Sequence, residues 1–219
     1  MGAFHVKLNS ALLAKVAGVE SIDHHVGERL RAFADLLAVA NQKINLVSRA
    51  QDGSAEIERQ IFISIAASPL IVRAGVIQTC LDVGSGGGFP AIPLAILHNE
   101  IRFCLIEATA KKAYFLERTA QQLGLTNVMV LNDRFESAST QASDLFTLKA
   151  VTDVATALSW ADKALNSNGH FLTFRPHPVD PTWEQSSRAY LFEQVGTLHL
   201  KTLLDIDNLE IVMFRRRAD

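Results

Sequence analysis

The stretch Leu81-Asp82-Val83-Gly84-Ser85-Gly86-Gly87-Gly88-Phe89-Pro90 constrains this chain more than any other, because an apolar run ends in an acid and passes into four glycines. Glycine lacks a Cβ, so it tolerates positive φ and lets main-chain amides close on a ligand. Upstream, Cys80, Leu81 and Val83 read as a short buried strand. Downstream, Ile92, Leu94, Ala95, Ile96 and Leu97 fill about two helical turns before His98 and Asn99, with Pro90 or Pro93 in the first turn. Flanks this ordered argue against a flexible surface loop. Strand, glycine turn and helix together open a nucleotide-type site in an α/β sheet.

Spacing narrows the ligand. The dinucleotide fingerprint needs a third small residue where Phe89 stands, and no lysine occurs between Lys43 and Lys111 to complete a phosphate-gripping loop. An acid at the strand end beside a bare turn suits a ligand with positive charge, such as S-adenosylmethionine with its sulfonium and amino groups. A second strand, Ile101 to Ile106, ends at Glu107, nineteen residues past Gly88, where a carboxylate accepts hydrogen bonds from ribose hydroxyls. NAD enzymes carry an acid there too, so Glu107 does not choose between the cofactors. Its other reading is helix-start electrostatics, ahead of a helix expected from about Lys111 to Leu123. A third strand, Asn127 to Leu131, leads into Asn132-Asp133-Arg134-Phe135-Glu136. There Phe135 offers adenine an apolar face, and Asp133 or Glu136 could accept from its amino group.

The rest of the chain reads as a helical preface followed by alternating strands and helices. Asp23 caps a helix whose apolar positions Val26, Leu30, Phe33, Leu37 and Ala40 form one stripe. A second helix is expected from Ser54 to about Val72, shortened or bent by Pro69. Later come a strand at Leu145 to Ala150, a helix at Val154 to Leu165, a strand at His170 to Arg175, and strands near Tyr190 to Leu204 and Leu209 to Arg215. The alternation predicts an α/β, doubly wound, mainly parallel seven-stranded sheet with an antiparallel last hairpin strand. Residues 1–75 are expected as a helical extension packed on a core of 76–219, one structural unit overall, since 219 residues are short for two full domains.

No apolar run approaches the ~18 residues that span a bilayer, and the N-terminus lacks a secretory leader. Cys80 and Cys104 both fall in interior strands and read as reduced packing thiols, which points to the cytoplasm. The seven histidines, His24-His25 included, show no ligand spacing, so no metal is expected. A monomer is the favoured state. The net charge of −2 leans against nucleic acid as a partner. Local basic positions remain at Arg49, Arg59, Lys111, Lys112, Arg134, Lys149, Arg175 and the Arg215-Arg216-Arg217 tail. A basic mouth suffices for a protein that visits an RNA briefly.

Asp82-Val83-Gly84-Ser85-Gly86-Gly87-Gly88-Phe89-Pro90-Ala91-Ile92-Pro93-Leu94-Ala95-Ile96 closely resembles the first motif of the bacterial small-subunit ribosomal RNA guanine-N7 methyltransferases, the GidB or RsmG family. The resemblance continues through Asn45-Leu46-Val47-Ser48, Arg59-Gln60-Ile61, Lys111-Lys112-Ala113-Tyr114-Phe115-Leu116 and Arg134-Phe135-Glu136. It implies a class I, Rossmann-like methyltransferase domain, S-adenosylmethionine as cofactor, and ribosomal RNA or the small ribosomal subunit as partner. The implied cofactor-binding set is Asp82, Gly84, Ser85, Gly86, Gly88, Phe89, Glu107, Arg134, Phe135, Glu136 and Lys149, the last standing where the family usually has an arginine. Transfer to guanine N7 needs no general base, so no catalytic residue is nominated beyond the substrate orienters Arg59, Lys149 and Arg175. The family's common Arg-His-Ile-Leu-Asp-Ser reads Arg59-Gln60-Ile61-Phe62-Ile63-Ser64 here, and its Leu-Lys-Gly reads Phe174-Arg175-Pro176. Two alternatives stay open: a methyltransferase of the same lineage with another RNA, protein or small-molecule substrate, and a non-catalytic nucleotide-binding module.

Overall fold

The computed structural model describes residues 8–47, 53–149, 152–176, 186 and 188–218. Arg49 and residues 177–181 lie outside the described residues. Seven strands form one sheet: β1 (Thr79–Val83), β2 (Arg102–Ile106), β3 (Val128–Leu131), β4 (Ser143–Lys149), β5 (Leu165–Pro176), β6 (Phe192–His199) and β7 (Leu209–Arg216). Their spatial order is β3-β2-β1-β4-β5-β7-β6, and β7 runs antiparallel to both its neighbours while the remaining pairs are parallel. The expected α/β sheet with its antiparallel hairpin strand is what the chain forms.

Side-chain alternation divides the core between the two sheet faces. Leu172, Ile211 and Met213 face a layer built from α1 (Ser10–Ala17), α2 (His24–Asn41), α3 (Gly53–Ile65), α4 (Ser68–Arg73), α5 (Ala91–Leu97) and α6 (Ala110–Gln122). Phe171, Val212 and Phe214 face α7 (Val154–Ala164) instead. The first cluster runs without a break from Leu13 and Phe33 to Cys80 and Leu105, so the N-terminal helices and the sheet share one core.

Three elements differ from the sequence expectation. The helix expected over Ser54 to about Val72, shortened or bent by Pro69, is two helices parted at Ala66-Ala67, because Pro69 takes the first turn of a new helix, α4, where its missing N–H costs nothing. The strand expected to reach Leu204 ends at His199, and α8 (Leu200–Leu204) follows, burying Leu200 completely. Helix α1 went unnoticed although its signals were present: Asn9 caps Leu12 N–H at 3.0 Å, and Gly18 closes the other end at φ 70°. In α5, Pro90 is the N-cap and Pro93 lies in the first turn.

Candidate active site

The glycine turn joins the carboxyl end of β1 to α5. Gly84 and Ser85 N–H both donate to the Ile106 carbonyl, at 2.8 and 3.3 Å, which ties the turn to the end of β2. Gly84, Gly86 and Gly88 have φ of 72°, 53° and 92°. A Cβ on Gly86 would meet only the Gly84 carbonyl oxygen, at 3.7 Å, so the backbone stands open there. At Gly87 the opposite holds, since a Cβ would lie 2.9 Å from the Leu46 carbonyl oxygen. That neighbour is fixed by buried Asn41 at the end of α2, whose Oδ1 accepts from Leu46 N–H at 2.8 Å and Val47 N–H at 3.1 Å. One glycine thus admits the helical layer and another keeps main chain open.

Two acids hold this turn, in different ways. Asp82 is 1% exposed; its Oδ2 accepts from Ser85 Oγ at 2.5 Å and its Oδ1 from Thr147 Oγ1 at 2.6 Å. Burial pushes its carboxyl up to about 6, even though the two hydroxyls and Lys149 pull the other way. Asp82 and Ser85 were expected to line the cleft. Both are buried, Asp82 on the face of β1 that it shares with Cys80, and their side chains bond to one another. Glu107, also buried, accepts from Gly86 N–H at 2.9 Å and from Thr109 N–H at 2.8 Å. Its helix-start role is therefore realised, and each oxygen keeps a lone pair for a further donor.

Asn132 Nδ2 donates to the Glu107 carbonyl at 2.8 Å, so the segments after β1, β2 and β3 are linked along one sheet edge. Beyond it, Phe135 is half-buried, 5.3 Å from Trp160 and 6.0 Å from Phe146 between ring centroids, while Arg134 and Glu136 are exposed. Asp133 is used within its own turn, accepting from Arg134 N–H at 2.7 Å and Ser137 Oγ at 2.9 Å. Phe89 is buried too, packed edge-on against Phe33 at 5.4 Å, so its ring anchors α2 to the turn.

Lys149, at the end of β4, lies over the Phe89 ring with Nζ 5.3 Å from the centroid and donates to Gln60 Oε1. Burial lowers its ammonium to about 8, against the pull of Asp82 and Glu56. Arg59 is less constrained, 3.6 Å from Glu56 with its side chain 42% exposed. Arg175, the third expected orienter, is buried and engaged. Its Nε donates to Glu210 at 2.5 Å inside the protein, because register pairs the two residues across β5 and β7 and a buried guanidinium requires a carboxylate. The Arg215 to Arg217 tail is largely strand: Arg215 pairs with Glu193 at 2.8 Å and Arg216 with Asp162 at 3.1 Å. Sequence reasoning missed Thr147 and Asn132 as supports for the turn. The exposed start of α2 also brings His24 and His25 to 3.4 and 3.6 Å from Glu28, a grouping of three ligand-capable side chains. Helical spacing, i to i+4 and i+3, is what gathers them.

The family model described as rRNA small subunit methyltransferase G (GidB) matches residues 27–211. The chain belongs to the GidB family. Among curated GidB relatives, ribosomal RNA small subunit methyltransferase G of Neisseria gonorrhoeae (strain NCCP11945) is 34% identical over 163 residues, 73% of this chain and 77% of that protein. The namesake from Neisseria meningitidis serogroup B is 31% identical over 186 residues, 83% of this chain and 82% of that protein. Among solved structures, the StiE O-MT segment gives a TM-score of 0.56 at 13% identity, covering 82% of this chain and 80% of that chain. P. horikoshii TYW2, solved in complex with MeSAdo, gives 0.52 at 15% identity, covering 68% and 61%. The fold is that of the class I methyltransferases, and this GidB member is a methyltransferase. No helix of the described residues is long and apolar enough to cross a membrane.

Proposed function

We propose that this chain transfers the methyl group of S-adenosylmethionine to N7 of a guanine in small-subunit ribosomal RNA, in the cytoplasm. The observation that carries the reading is the open backbone at Gly86, held by Glu107 at the carboxyl edge of the sheet in a chain of the GidB family. When bound, S-adenosylmethionine supplies a methyl group on a sulfonium. Guanine N7 has a lone pair and carries no proton, so the protein needs to bind and align rather than remove a proton.

The residues present fit such a donor. Gly86 lets the main chain approach it, and the spare lone pairs of Glu107 suit ribose hydroxyls. Asp82 lends negative charge beneath the turn to a cationic ligand, through Ser85 and at short range. Lys149 offers a cation to the donor's carboxylate, with Phe135 and Glu136 beside adenine. Arg59 and the exposed Lys111 and Arg134 supply the basic mouth for RNA. Double-helical RNA hides N7 in a deep, narrow groove, so the target guanine is unpaired or flipped out.

The reading is tested with S-adenosylmethionine tritiated on the methyl group and small ribosomal subunits lacking the modification. Label in the RNA supports it. Label in protein or small molecules alone rejects ribosomal RNA as substrate, and calorimetric preference for NAD rejects the cofactor.

A further inference from the structure

Gln60 and Lys149 lie 89 positions apart in sequence and meet in the structure. Gln60 projects from α3, in the N-terminal helical layer; Lys149 ends β4, in the sheet. Gln60 Nε2 donates to Glu56 Oε1 at 2.6 Å, and Gln60 Oε1 accepts from the Lys149 ammonium. The order of donors and acceptors is forced. A carboxylate only accepts and an ammonium only donates, so an amide between them must turn its NH2 to the first and its oxygen to the second. Gln60 has one productive orientation, and Lys149 is drawn toward α3 above the Phe89 ring.

We propose that Gln60 is a positioning residue for the methyl donor, holding the Lys149 ammonium where it meets the donor's carboxylate. This rests on the reading of the pocket given above. The groups facing Lys149 are Asp82 from β1, Glu56 and Arg59 from α3 and the Phe89 ring from the turn. Asp82 is itself engaged by Ser85 and Thr147, so the Gln60 oxygen is the neutral acceptor that fixes the direction of the ammonium. A helix of the N-terminal layer thereby sets part of the donor pocket.

The test is a double-mutant cycle read by calorimetry with S-adenosylmethionine on the full chain. Gln60→Met, unbranched and suited to a half-buried helical site, weakens binding about five- to tenfold through loss of a charge-assisted bond. Lys149→Met weakens it as well, and adding Gln60→Met to Lys149→Met brings no further loss. A pH series supplies a readout that a merely structural role would not move. Wild-type affinity falls as Lys149 loses its proton at alkaline pH, the fall begins at lower pH in Gln60→Met, and Lys149→Met removes it. The donor's own amino group titrates alike in all variants, so the differences between curves carry the result. Unchanged affinity in Gln60→Met overturns the inference. So does an equal loss in the Lys149→Met background, or an effect confined to the KM for RNA. A wild-type chain that does not bind S-adenosylmethionine refutes the pocket reading itself, a failure distinct from these.

Discussion

At the scale of the residue, Gly86 and Asp82 carry the sharpest expectations. Gly86 faces open space at positive φ, so Gly86→Val fills the place of close approach without meeting the packed core and also strains the backbone of the turn. Calorimetry should record at least a tenfold loss of S-adenosylmethionine affinity, and retained wild-type affinity would place the donor elsewhere. Glu107→Ala removes the acceptor for Gly86 and Thr109 N–H as well as the ribose partner; donor binding should weaken by about 1–3 kcal/mol. Asp82 yields a prediction about pH. Its folded pKa of about 6 lies above the ordinary 3.8, so the folded state holds the proton more tightly than the unfolded chain. That contribution is fully present below about pH 4 and is lost as pH rises to about 6, at a cost on the order of 3 kcal/mol. Thermal melts of the wild type without ligand should therefore lose stability across this window relative to Asp82→Asn. Parallel curves would mean that the carboxyl is not desolvated.

At the scale of the element, the pinned end of α2 matters most to the site. Asn41 holds segment 42–47 against Gly87, so Asn41→Ala unpairs two main-chain amides and releases that segment. Urea unfolding should show a loss of about 1–3 kcal/mol, with weaker donor binding beside it. A variant as stable as wild type would detach α2 from the turn. Local patterns of this kind decide what a sequence reveals. The strand, glycine turn and helix around Val83 were legible because each leaves its mark within a few residues, as was the stripe of α2 behind Asp23. The break between α3 and α4 was legible only in part: Pro69 signalled an interruption, but not that a new helix starts with it in its first turn. Thr147 lies 65 positions from Asp82 and Gln60 lies 89 from Lys149. Contacts so distant are created by the sheet order, and nothing within either segment announces them. The partner of Arg175 was hidden for the same reason: only the pairing of β5 with β7 delivers Glu210 to it.

At the scale of the whole molecule, the net charge is −2, so RNA bound through the exposed Arg59, Lys111 and Arg134, as proposed, should be held locally and its affinity strongly weakened by salt. Donor binding should also be visible globally. Ligand at a hundredfold excess over Kd adds about 2.7 kcal/mol to stability, and a chain of this size should gain roughly 5–10 °C in Tm with S-adenosylmethionine and none with NAD. The most direct measurement is mass mapping of nucleosides in small-subunit ribosomal RNA from cells that carry the gene, lack it, or carry Gly86→Val. The mechanism derived from the turn requires one N7-methylguanosine that is present in the first and absent from the other two. The same nucleoside at equal abundance in all three would contradict it.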